Sequence, residues 1–267
     1  KDGWALLIST PKGKGYFYDL FRLGQGQTHD PNYESWNMPS WSNPLLDRAL
    51  IEAERQRIPS AAFRQEFGAE FIEGSGSVFR NVRDCATSEW SKPLLRERYF
   101  GGLDLAKTED YTVLTILDSH LRLVHCDRFR RQDWSIQINR VRAALDRYGG
   151  ASVLVDSTGA GEPILEALKR DGVRANPYPF TVKSKAALVD NLSLLFEQRT
   201  ITLPRVDLWP EGIEELEAFQ YTVSDNGHMR TGAPGGQHDD CVVSLALAAM
   251  QVRSSVVRVR VTCFPRR

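Results

Sequence analysis

The chain has 267 residues, 42% hydrophobic and 25% charged, the proportions of a folded globular protein and not of a disordered one. Lysine plus arginine and aspartate plus glutamate each number 34, so no overall basic charge draws the protein to nucleic acid, and any such binding must rest on local patches. Cys85, Cys126, Cys241 and Cys263 form no C-x-x-C pair, which argues against a zinc site or disulfide framework and for a reducing compartment, and no apolar run approaches the roughly 18 residues of a membrane span.

The opening "WALLIST" is an apolar run ending at Ser9-Thr10-Pro11, the pattern of a buried strand meeting a loop, and it places the first residues partway into a domain. "KGKGYFYDLF" alternates glycine and lysine before a helical segment, but Lys14 is followed by Gly15 and not by a hydroxyl residue, so it is no phosphate-binding loop. Residues 27–47 read as an irregular connection clamped by Trp36 and Trp41. Pro44 to Phe71 predicts two short helices broken at Pro59, and "EGSGS" a linker with a boundary near residue 80.

From about residue 98 the pattern becomes regular. "YFGGLDLA", "YTVLTILD" and "LRLVHCDRF" predict three strands on connections short enough to force antiparallel pairing. A helix follows, with Asp133 at its N-cap and Gly149 at its C-cap. Then come strand "ASVLVDS", helix "EPILEALKRDG", strand "ANPYPFTV" and helix "SKAALVDNLSLLFEQR". "AFQYTVSDNGHMRTG" predicts a hairpin turning at Asn226-Gly227. The last helix, Cys241 to about Val252, is apolar nearly all round, as for a helix buried against a sheet; the tail beyond it reads either as an edge strand or as an unpacked basic end.

Four carboxylates stand out. Asp104 lies in an apolar strand, where an unpaired charge is strongly destabilising, and either pairs with Lys107 or serves a site. Asp156 ends the run "ASVLVD" at a strand's C-terminal edge, where open α/β sheets place their ligands, or else caps the turn "DSTGAGE". Asp239 and Asp240 precede the last helix, and one of them could be its cap. If the fourth strand runs parallel to the first, Asp104 and Asp156 sit side by side and the helix start closes over them. Oxygen donors without thiols suit Mg²⁺ or Mn²⁺, and two such ions about 4 Å apart can hydrolyse a phosphodiester. His238 would be a supporting neighbour or a transition-state donor. Gly159 and Gly161 offer backbone N–H groups to a phosphate or simply form a turn. Lys183 and Lys185 are DNA-backbone contacts or solvated lysines at a helix start. Thr108 and Asp110 shape the first strand turn. His228 and Arg230 sit at the hairpin tip, within reach of nucleic acid.

These residues carry a resemblance. "GLDLAKTEDYTVL", "VLVDSTGAGEPILEAL", "KSKAALVDNL", "ITLP" and "GAPGGQHDDCVVSLALA" resemble, in order and spacing, the nuclease domain of the large terminase subunit of tailed double-stranded DNA bacteriophages. The resemblance implies an α/β chain: an RNase H-like nuclease domain over 98–252, its mixed sheet made of three antiparallel strands followed by alternating helices and strands. Residues 1–80 would be the end of a P-loop-type packaging ATPase with its linker, 81–97 a connection and 253–267 a basic tail. It further implies that Asp104, Asp156, Asp239 and Asp240 are catalytic metal ligands for two Mg²⁺ or Mn²⁺ ions and cut concatemeric DNA. The partners would be double-stranded DNA, the viral portal protein and the small terminase subunit, with no membrane and oligomers only in the assembled motor. The setting would be the host cytoplasm, at the procapsid. "LLISTPKGKGYFYDLF" resembles the last strand of the terminase ATPase, where Ser9, Thr10 and Pro11 would be a coupling remnant; the phosphate-binding loop and acidic metal-binding strand are missing from the chain. Another RNase H-like nuclease such as a resolvase, or a silent DNA- or portal-docking fragment, are the alternatives.

Overall fold

A computed structural model of the chain describes residues 3–11, 15–26, 29–72, 77–105, 111–130, 133–158, 161–223 and 229–261. The chain divides into two compact units: Lys1–Val78 with Gln220–Gly232, and Phe79–Phe219 with Ala233–Arg267.

In the first unit, helices α1 (Tyr16–Leu23), α2 (Arg48–Arg55) and α3 (Ser60–Glu66) are short, and Pro59 precedes α3 at its N-cap position. Asp47 caps α2 by accepting from the Ala49 N–H at 2.8 Å. Aromatic rings hold this unit together: Phe21 and Tyr18 pack on Phe71, and Trp41 stacks on Phe63, which stacks on Phe67. Trp36, expected as the second clamp, is largely exposed. The strand expected at "WALLIST" is not present: residues 3–10 have no sheet partner among the described residues, and Trp4 and Ile8 are exposed. An apolar run becomes a strand only when a neighbour takes its backbone groups.

The second unit opens with a one-turn helix, α4 (Val82–Cys85), and strand β1 (Ala86–Ser88), then builds a five-stranded sheet. Its strands are β2 (Tyr99–Asp104), β3 (Thr112–Asp118), β4 (Leu123–Phe129), β5 (Ser152–Asp156) and β6 (Ala175–Tyr178), in the order β4-β3-β2-β5-β6. β2, β3 and β4 pair antiparallel, while β5 joins β2 and β6 joins β5 in parallel. Helix α5 (Trp134–Arg147) leads from β4 to β5 and α6 (Gly161–Arg170) connects the parallel β5 and β6; α7 (Val182–Glu197), the two-residue strand β7 (Leu203–Pro204) and α8 (Pro210–Ala218) follow. Antiparallel strands β8 (Gln220–Val223) and β9 (Met229–Gly232) form the predicted hairpin of the first unit, its turn residues lying outside those described. Helix α9 (Asp240–Val261) returns to the second unit. It runs well past Val252, so residues 253–261 are helix and not an edge strand: extending a formed helix adds one hydrogen bond per residue, and valine's poorer helix propensity subtracts only tenths of a kcal/mol.

Strand alternation sorts the residues of β2 between two faces. Leu103 joins Val153, Val155, Val141, Leu145, Ile164 and Leu168 in a core on the α5–α6 side. Gly102 faces the other way: a Cβ there would collide with Ser244 O of α9, and the missing side chain lets that helix lie directly on the sheet. Residues Cys241 to Ala249 of α9 are all buried, which is why its sequence is apolar on every side.

Candidate active site

The same alternation fixes the carboxylates. Asp104 is two positions beyond Gly102 and faces α9; Asp156, one beyond core residue Val155, faces the same way. Leu103 is the register partner of Val155, so the two aspartates follow side by side at the C-terminal ends of adjacent parallel strands. α9 starts over this edge. The Val243 N–H donates to Asp239 O at 2.9 Å, making Asp239 the residue that begins the helix and Asp240 its first full member.

The charges of the other three carboxylates bear on Asp104. The Asp104 carboxyl is held well above the usual carboxylate range, first by burial and then by the negative charges of Asp240, Asp156 and Asp239, with Lys185 opposing. Each of the other three has a distinct anchor. Asp156 Oδ1 accepts from Thr158 N–H at 2.9 Å, and Thr158 Oγ1 accepts from Phe180 N–H at 2.9 Å, so the turn after β5 is tied to the loop before α7. Asp239 lies 3.9 Å from Lys185 Nζ. Asp240, buried, accepts a long 3.4 Å hydrogen bond from the Tyr111 N–H.

His238 faces Asp240 Oδ2 across 3.6 Å through Nδ1, while its Nε2 stands 2.9 Å from Arg130 Nη2. A guanidinium only donates, so Nε2 accepts and the ring proton belongs on Nδ1, toward the carboxylate. The His238 ring meets Tyr111 edge-on, and both Arg128 and Arg130 place their guanidiniums within 3.6 Å of the Tyr111 ring centroid. Cys241 contributes no thiolate: its hydrogen bond with Cys126 and its burial push the thiol far up.

Among the described residues no three His, Cys, Asp or Glu side chains are drawn close enough to form a ready metal cage. The donor chemistry nonetheless fits a hard divalent cation, because every carboxylate at this edge is an oxygen ligand and their mutual repulsion needs positive charge.

Asp104, Asp156, His238, Asp239, Asp240 and Lys185 therefore meet at one edge. Lys183 is exposed in the first turn of α7, and Gly161 is the first residue of α6. Lys107, Thr108, Asp110, Gly159 and His228, and the side chain of Arg230, lie outside the described residues. Ser9, Thr10 and Pro11 belong to the first unit. Sequence reasoning missed Tyr111, Arg128, Arg130 and Glu215. Glu215 had a signal: it shares the spacing of Gly212, Leu216 and Phe219 on α8, a carboxylate at a core position. Its Oε2 accepts from Cys241 N–H at 2.7 Å and its Oε1 from Arg128 Nη2 at 2.9 Å. Burial pushes its carboxyl up, against the pull of these two partners.

The terminase RNaseH-like domain family matches residues 101–251. The terminase large subunit of Thermus phage G20c is 34% identical over 94% of this chain and 56% of its own length, and that of Escherichia phage T5 is 28% identical over 58% of this chain. The chain thus spans about half the length of the curated relatives it matches. The crystal structure of the large terminase nuclease from phage G20c with bound magnesium superposes with a TM-score of 0.62 at 30% identity, covering 66% of this chain and 97% of that one. Further structures of that nuclease hold cobalt and zinc. The large terminase of another thermophilic bacteriophage shares the fold alone, with a TM-score of 0.68 at 11% identity over 91% of this chain and 61% of that one. An RNase H-like mixed sheet, a match across the whole region that carries the four aspartates, and a G20c relative aligned over nearly the full chain lead to one assignment: this chain belongs to the terminase RNaseH-like domain family.

Proposed function

We propose that this chain carries the endonuclease of a viral DNA-packaging terminase and cuts concatemeric double-stranded DNA by divalent-metal-dependent phosphodiester hydrolysis. The observation that carries the proposal is the meeting of Asp104, Asp156, Asp239 and Asp240 at one sheet edge, close enough for three of them to raise the carboxyl of the fourth. The related nuclease of phage G20c is solved with magnesium, cobalt or zinc, which supports a divalent metal here. We assign Mg²⁺ or Mn²⁺, two ions, to the four aspartates. Bound there, the metal supplies Lewis acidity that activates the attacking water and stabilises the leaving oxygen.

The remaining work falls to the chain. Asp104 and Asp156 are fixed by parallel strands, and Thr158 holds the Asp156 turn in place. Lys185 keeps Asp239 turned toward α7, and His238 directs its Nδ1 proton at Asp240. Lys183, at the start of α7, would meet the DNA backbone as a point charge. In the reaction the water oxygen bonds to phosphorus, the bond from phosphorus to the leaving oxygen breaks, and that oxygen takes up a proton.

Double-stranded DNA is the substrate in this reading; the portal protein and small terminase subunit are its partners, in the host cell at the procapsid. No described helix is long and apolar enough to cross a membrane. Residues 1–80 would be the end of the packaging ATPase, 81–97 a connection, 98–252 the nuclease domain and 253–267 a basic tail. The chain contains no G-x-x-x-x-G-K-[ST], which puts ATP hydrolysis by this chain alone in doubt.

The test is cleavage of supercoiled plasmid with Mn²⁺, Mg²⁺ or EDTA beside an Asp104→Asn variant. Nicking and linearisation that need the metal are expected, falling by more than about a hundredfold in the variant, beyond what loss of an outer contact costs, while DNA binding persists. A folded protein that shifts DNA but leaves the plasmid intact under every metal would be a docking fragment and not a nuclease.

A further inference from the structure

We infer that Glu215 and Arg128 form a buried positioning pair that fixes the Asp240 carboxylate in the orientation a divalent cation requires. The inference rests on the nuclease proposal above.

The first reason is where Glu215 stands. Gly212, Ile213, Leu216 and Phe219 put that face of α8 in the core, and a carboxylate placed there is costly unless it is fully matched. Glu215 is matched by two partners, and both lead to Asp240. One oxygen takes the N–H of Cys241, the residue directly after Asp240. That N–H is one of the donors a helix start leaves unsatisfied, and a side chain at the N-cap ordinarily serves it. Here a carboxylate from another helix does so, and the Asp239 carboxylate is turned toward Lys185 instead.

The other oxygen takes the Arg128 guanidinium, which lies 3.5 Å from the centroid of the Tyr111 ring; the Tyr111 N–H in turn donates to Asp240 Oδ2. The pair thus grips Asp240 from the chain that follows it and from the group that hydrogen-bonds its carboxylate. Arg128 Nε is buried without a hydrogen-bond partner among the described residues. A buried donor left unmatched is destabilising, so the guanidinium's place between Glu215 and the Tyr111 ring comes at a cost to stability. Its planar fork both stacks on the ring and meets Glu215, which a lysine cannot do.

Isothermal titration of the intact chain with Mn²⁺ tests this, using wild type, Glu215→Gln, Arg128→Lys, the double variant and Asp104→Asn, with plasmid nicking measured on the same samples. Glu215→Gln and Arg128→Lys are each expected to weaken Mn²⁺ binding about 10- to 100-fold, as outer partners of metal ligands do. The double variant should lose no more than the worse single one, because the two residues act as a unit. In nicking, kcat should fall while KM for DNA stays put. Mn²⁺ affinity within about twofold of wild type in the folded variants, even with a lower Tm, would reduce the pair to a helix cap and overturn the inference. If Glu215→Gln does not fold, Arg128→Lys decides alone. Asp104→Asn separates the two levels: if it binds Mn²⁺ as wild type does, the nuclease proposal fails and takes the pair with it, whereas if only Asp104→Asn loses Mn²⁺, the pair alone is refuted.

Discussion

Each acidic residue in the second unit has been assigned a different task by its surroundings. Asp104, at a strand end among other carboxylates, is assigned to the proposed site; Asp118, buried at the end of β3, is paired with Arg122 at 2.6 Å and serves the turn. Asp190 on α7 resembles neither, because burial raises its carboxyl above the ordinary value and, among the described residues, none pulls it back. A group whose folded pKa is raised binds its proton more readily when folded, so its favourable contribution is complete below the ordinary carboxylate value and is lost as pH rises through the folded value. At neutral pH the ionised Asp190 is therefore a net cost. Asp190→Asn is expected to raise Tm at pH 7, with the gain shrinking toward zero as the pH is taken below about 3.9, the ordinary aspartate value. A lower Tm at pH 7 would mean instead that the carboxylate is paired. At this scale the sequence was legible wherever a charge interrupted an apolar strand. It was silent about Arg128 and Tyr111, because an arginine in an edge strand and a tyrosine after a turn are ordinary until the fold brings them to Asp240.

Between elements, the placing of α9 decides whether the site exists at all. Ser244, one turn into the helix, donates to Gly102 O at 2.8 Å and accepts from Thr115 N–H at 3.0 Å, and Gly102 and Thr115 are register partners of β2 and β3. One hydroxyl thus pins the helix that begins with Asp240 onto the strand that ends in Asp104. Ser244→Ala would remove both of these buried hydrogen bonds, at a cost of about 1–3 kcal/mol. Urea denaturation should show that loss as a lower midpoint at unchanged slope, and a stability equal to wild type would mean that the helix is held by packing alone. The strand and helix order from residue 98 to α7 could be read from periodicity, since alternation and helical spacing are local properties. Helix α8 was harder: glutamates at four of its nine positions dilute the short apolar stripe of Ile213 and Leu216 at which Glu215 sits. "WALLIST" failed in the opposite sense, its local pattern promising a strand for which the described residues offer no pairing neighbour.

For the whole molecule, the division into two units makes the proposed metal site a thermodynamic label. All four aspartates, with Lys185, His238 and Glu215, belong to the unit formed by Phe79–Phe219 and Ala233–Arg267. A ligand that binds only the folded state stabilises it by mass action, about 2.7 kcal/mol at a hundredfold excess over Kd. For a unit of this size each kcal/mol moves Tm by roughly 2–4 °C. Scanning calorimetry of the intact chain with saturating Mn²⁺ should therefore raise the transition of this unit by roughly 5–10 °C. EDTA should reverse the gain, and Asp104→Asn should abolish it. If the other unit melts as a separate transition, its midpoint should not move, because it contributes none of the four carboxylates. A shift shared equally by both, or surviving Asp104→Asn, would place the cation elsewhere. A flat response in the wild type would leave four mutually repelling carboxylates at one sheet edge with no cation to reconcile them, and the nuclease proposal would lose its metal.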